Sequence, residues 1–113
     1  MLVSVPTKAS TPRRSTRIPT DILVEVQDER FAYAGQAIMA NLHGALVRIS
    51  APLKLGDRIM LHVLQTTKSA GAVVVFVDYD LSQFGLELDR PENIWGVEIP
   101  PSDWLPNEKF ELS

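Results

Sequence analysis

Six short β-prone segments, set roughly ten residues apart and separated by turn chemistry, decide what this chain can fold into. ILVEV (22–26) is a β-branched run, and the polar turn QDER follows it. FAYAGQAIMA (31–40) is the second segment, interrupted by Gly35. ALVRIS (45–50) alternates, with Leu46 and Arg48 on one side and Val47 and Ile49 on the other. KLGD (54–57) leads into RIMLHVL (58–64), TTKSAG (66–71) into AVVVFVDY (72–79), and DLSQ (80–83) into FGLELD (84–89). AVVVFVDY has the strongest strand propensity of these. Short strands at this spacing imply an all-β fold, an antiparallel barrel or sandwich. The chain has no internal repeat and no glycine pattern of the dinucleotide-binding or P-loop kind.

Its 113 residues suffice for one domain, and 45% hydrophobic content can fill a core. There is no cysteine, so disulfides, thiolate metal sites and cysteine nucleophiles are excluded. No apolar run approaches the roughly 18–20 residues of a membrane helix. In MLVSVPTKASTPRR the basic residues follow the short apolar start, the reverse of a secretory signal. A cytoplasmic location without membrane insertion is therefore expected.

Little here supports catalysis. His43 and His62 are nineteen residues apart and neither has a companion at ligand spacing, so no metal site is expected. His62 falls in mid-strand, where a half-buried structural role fits. Asp78 and Asp80 flank Tyr79 at a strand end, as turn carboxylates commonly do. Phe84, Trp95 and Trp104 read as packing. The tail from Arg90 onward is rich in proline and carries both tryptophans, which implies a tethered segment packing aromatic side chains on the strands. Ser102 or Asp103 is placed to cap a short helical turn carrying Trp104 and Leu105.

Two places stand out. The first is TPRRSTRIPTD (11–21), where Arg13, Arg14 and Arg17 lie between Pro12 and Pro19, which oppose a stable helix. Residues 1–20 hold four basic side chains and no acid, and the remainder holds 7 basic and 14 acidic ones, for a net charge of −3. A basic segment on an acidic body suits a local anion site or a solvated tail. A nucleic-acid polymer would need a broad positive face with interleaved aromatic platforms, and strands 22–88 are net acidic. The second place is MANLHGALV (39–47), a strand-to-strand junction containing Asn41, His43 and Gly44. A glycine there is either a turn residue or one that lets a ligand approach the main chain.

Together these places resemble the PilZ domain family, which is marked by RxxxR in an N-terminal loop and, some 20–30 residues later, D/N-x-S-x-x-G at the start of a strand. Arg13-Arg14-Ser15-Thr16-Arg17 supplies RxxxR. With the family glycine on Gly44, ahead of Ala45-Leu46-Val47, Asn41 takes the serine position and Met39 the acid/amide position. The LGD turn at 55–57, AVVVFV, and FGLEL before a Trp-containing tail agree with this, so the resemblance covers about residues 12–104. Residues 1–11 would then be a flexible lead and 105–113 a C-terminal tail.

The resemblance implies a six-stranded antiparallel β-barrel, usually followed by helical elements, and a non-catalytic receptor for the bacterial second messenger cyclic di-GMP. It implies no metal and no cofactor beyond that ligand. On this reading Arg13 and Arg17 hold guanine edges and phosphates, Arg14 adds charge or stacking, Asn41 replaces the serine hydrogen bond, and Gly44 lets the base lie against the strand. Arginine suits the ligand because its fork grips phosphate or the guanine O6/N7 edge and its flat face stacks. Met39 departs from the pattern, since it accepts no hydrogen bond from a guanine N–H. Losing one such partner typically costs about 1–3 kcal/mol, roughly five- to 150-fold in affinity. His43 stands where it could compensate. Ligand binding would order residues 1–20 and change a surface presented to an effector protein. The alternative is a degenerate PilZ domain that binds no cyclic di-GMP and works as a protein-interaction adaptor.

Overall fold

Along each extended segment the inward side chains are apolar, and they meet in one core. The computed structural model describes residues 15–104. It contains β1 (Ile18–Gln27), β2 (Ala32–Asn41), β3 (Gly44–Ile49), β4 (Arg58–Val63), β5 (Lys68–Asp78) and β6 (Gln83–Leu88). These close into a barrel in the order β1-β2-β3-β6-β5-β4, with every pair antiparallel. Closure removes the free strand edges that an open sheet of this size would present. The expected all-β antiparallel barrel is therefore the fold.

Ile22, Val24 and Val26 of β1 alternate inward, as do Val47 and Ile49 of β3 and Phe84, Leu86 and Leu88 of β6. Among the described residues no polar or charged side chain is buried. Leu53, from the connection between β3 and β4, is also buried, and Tyr79 Oη donates to its carbonyl at 2.7 Å. Each fully buried aliphatic or aromatic side chain contributes about 1.5–3 kcal/mol, so the alternating pattern is what fixes strand register. His62 is half-buried on β4, with Nδ1 2.6 Å from Ser69 Oγ across the β4–β5 pair.

Two strands are longer than their composition suggests. β5 starts at Lys68 instead of Ala72, because Ser69, Ala70 and Gly71 pair with His62, Leu61 and Met60. β1 starts at Ile18 instead of Ile22, so Pro19 lies inside a strand. Ile18 and Pro19 pair with β2 alone, whereas β4 joins only from Val24 to Gln27. Pro19 is tolerated on that open edge, where no ladder partner requires its missing N–H. The register breaks between Pro19 and Ile22, and Thr20 Oγ1 bridges the irregularity by donating to Ala37 O at 2.7 Å.

After β6 the chain packs Ile94 and Trp95 into the core and ends its described course in a 3₁₀ turn, Ser102–Trp104, with Trp104 buried. That single turn is the only helical element among the described residues. The Asp103 carboxylate faces residues at the other end of the chain.

Candidate functional site

The segment Ser15–Arg17 has no secondary structure of its own, yet both of its first two residues are tied down. Asn41 Nδ2 donates to Ser15 O at 3.0 Å, and Leu42 N donates to Ser15 Oγ at 2.9 Å. Thr16 N donates to both oxygens of the Asp103 carboxylate at 3.0 Å, and Thr16 Oγ1 donates to Oδ2 at 2.7 Å. The buried Trp104 indole donates to Thr16 O at 2.8 Å. β1 then begins directly after Arg17. The backbone on either side of Arg17 is thus held, and only its exposed side chain is left to reorient. Strand pairing also claims Ile18 and Pro19, ahead of the start expected for the first strand. Arg13 and Arg14 lie outside the described residues, as do the segments 1–11 and 105–113.

The second motif segment is a two-residue connection between β2 and β3. Asn41 Oδ1 accepts from His43 N at 2.9 Å and from Gly44 N at 3.0 Å, which closes the turn locally. Trp95 Nε1 donates to Asn41 O at 2.8 Å, Glu92 N to Leu42 O at 3.0 Å, and Leu88 N to His43 O at 2.8 Å. The Asn41 amide therefore builds the turn and holds the arginine segment. Gly44 has an equally structural cause. It pairs with Glu87 of β6, and a Cβ at this position would collide with the Leu86 carbonyl oxygen. Only glycine lets the strands approach this closely.

Arg17, Met39, Asn41, His43 and Gly44 all line one open groove of about 470 Å³ on the outside of the barrel. Across the groove stand Val75, Phe76 and Glu87, which composition and spacing did not single out. A register irregularity lies between Val74 and Phe76, and as a result Val75 and Phe76 are both about half exposed, at 50% and 49%. A bulge of this kind re-aims side chains. Gly85 pairs with Phe76 and with Leu46, and a Cβ on it would lie 2.9 Å from Phe76 Cβ, so Phe76 leans over it. The outward position of Glu87 was readable from the inward alternation of Phe84, Leu86 and Leu88. Its nearness to Gly44 was not, because β3 and β6 are distant in sequence. Nothing in the VVVFV run betrays the bulge.

The groove mixes one guanidinium, one imidazole and one carboxylate with apolar walls, a composition suited to holding a planar, partly charged ligand. Among the described residues no cluster of histidines and carboxylates could hold a metal ion, and no helix is long and apolar enough to cross a membrane. The barrel and the two convergent motif segments define a small ligand-binding or interaction domain. The family model of the PilZ domain matches residues 11–94, most of the chain including both segments, and the chain belongs to that family, a family of cyclic di-GMP receptors. Among curated proteins none matches the chain significantly.

Proposed function

We propose that this PilZ domain is a non-catalytic receptor for cyclic di-GMP, binding it in the groove between the Ser15–Arg17 segment and the strands β2, β3, β5 and β6. The observation that carries this reading is the convergence of Arg17 with Asn41, His43 and Gly44 on one groove. Arg17, with Arg13 and Arg14 just before it in the sequence, supplies forks for the phosphates and guanine edges. Asn41 acts mainly by positioning, since its Oδ1 and one Nδ2 hydrogen are engaged by the protein. Met39 offers an apolar surface where the family pattern has a hydrogen-bonding group, which predicts weaker binding than a full motif would give. Ligand binding orders the N-terminal arginine loop, and a cytoplasmic effector protein reads the resulting surface.

The adaptor reading has one specific support. Asn41 and Gly44 are each explained by the fold without a ligand, so half of the motif would persist in a domain that binds none. Titration calorimetry with cyclic di-GMP, GTP as control and an Arg13→Ala/Arg17→Ala variant separates the two. Micromolar or tighter binding, absent with GTP and lost in the variant, is the expected result. No heat well above a hundred micromolar ligand overturns the receptor reading in favour of the adaptor.

A further inference from the structure

The motif leaves a gap at Met39, because a guanine base presents N1–H and N2–H₂ as adjacent donors and methionine accepts neither. A carboxylate accepts both. Glu87 lines the same groove, exposed, and makes no hydrogen bond or ion pair among the described residues. It stands directly across from Gly44 in the β3–β6 pair.

The next outward row crosses the sheet as Met39, Leu46, Gly85 and Phe76, each paired with its neighbour. Within it Gly85 is a notch between the side chains of Leu46 and Phe76. Phe76 has no ring partner among the described residues, where the aromatic pairs are Phe31–Tyr33 and Tyr79–Phe84. Phe76, half exposed at the bulge, pairs with Gly85, two positions from Glu87 on β6. The phenyl ring and the carboxylate therefore share one face of the sheet, and the ring is well placed to stack on a base.

We infer that Glu87 and Phe76 form a guanine subsite in this groove, Phe76 stacking on the base and Glu87 accepting from N1–H and N2–H₂ in place of the residue that Met39 lacks. The inference rests on the receptor reading and adds the source of its base selectivity. Adenine has no donor pair at that edge, so the Glu87 contact favours guanine. A site built to bond a donor rejects an analogue that lacks it, because its own polar group is then left unpaired.

Both side chains are exposed, so substitution leaves the barrel intact. The experiment measures the affinities of wild type, Glu87→Gln and Phe76→Ala for cyclic di-GMP and for cyclic di-AMP. In Glu87→Gln, cyclic di-GMP binds about ten-fold more weakly and its advantage over cyclic di-AMP narrows. In Phe76→Ala both ligands lose about ten-fold, in line with one lost stacking contact, and the preference stays. Phe76→Trp restores affinity, and its added emission is quenched by the stacked base. If wild type binds cyclic di-GMP and Glu87→Gln binds it equally well or better, the subsite is overturned while the receptor reading stands. A gain would mean that the carboxylate only repels the phosphates. If wild type binds no cyclic di-GMP, the receptor reading falls and the subsite with it.

Discussion

Both ends of β2 turn by the same device, and the two turns do different work. At the β1–β2 end Asp28 Oδ1 accepts from Arg30 N and Phe31 N, both at 2.8 Å. At the β2–β3 end Asn41 Oδ1 accepts from His43 N and Gly44 N, at 2.9 and 3.0 Å. In each, a short side chain mimics the backbone and accepts the N–H groups two and three residues on. The first turn is exposed, and its fourth residue, Phe31, points to solvent. The second is packed under Trp95, under the β6 end and against Ser15. The acid suffices where the chain only reverses. An amide is needed where the same side chain must also donate, here to Ser15 O.

The largest difference between the turns is expected at their fourth positions. Gly44→Ala drives a Cβ into the Leu86 carbonyl, which must part β3 from β6, and should cost about 3 kcal/mol. Phe31→Ala, at the exposed counterpart, should change stability by no more than about 0.5 kcal/mol. Urea denaturation of the two variants checks this, and comparable losses would mean that the second turn is no more constrained than the first.

A finer test separates the two functions of Asn41. Asn41→Ala removes the turn acceptor and the tie to Ser15 together and should destabilise by about 1–2 kcal/mol. Asn41→Asp keeps the acceptor but replaces the donor to Ser15 O by a second oxygen facing a carbonyl. Stability should fall less than in Asn41→Ala, whereas hydrogen-exchange protection of Thr16 and Arg17 should drop and cyclic di-GMP affinity with it. If Asn41→Asp leaves protection at Thr16 unchanged, the hold on the arginine segment comes from Asp103 and Trp104 alone.

These contrasts also mark how far the sequence could be read. The barrel was legible because Ile22, Val24 and Val26, or Val47 and Ile49, repeat with the period of a half-buried strand, and burial enforces that period. Arg17, Asn41 and Gly44 were legible as a motif, but the reasons for them were not. Gly44 is explained by an oxygen on β6, a strand some forty residues away in sequence, and Asn41 by its bonds to Ser15 as well as to its own turn. The clasp of Thr16 by Asp103 and Trp104 spans 87 and 88 positions and has no local signature. Phe76 was hidden for a different reason: a bulge breaks the alternation that would otherwise have assigned it a face.

The smallest expected effect is electrostatic and again divides the turns. The Phe31 N–H, followed by the Arg30 N–H, holds the Asp28 carboxyl below its ordinary value of 3.8. A carboxyl whose folded pKa lies below the unfolded one contributes stability that is complete above the unfolded value and is lost as pH falls through the folded value. Asn41 carries no such charge, so its turn has no matching dependence. A carbon-detected titration of the folded protein should place the Asp28 midpoint below 3.8, with amide protection at Arg30 and Phe31 decreasing over the same range. Protection at Gly44 should stay level there, because a neutral amide accepts equally well on both sides of that pH. A parallel loss at Gly44 would mean that acid loosens the whole of β2, and that the two turns are coupled through the strand rather than built independently.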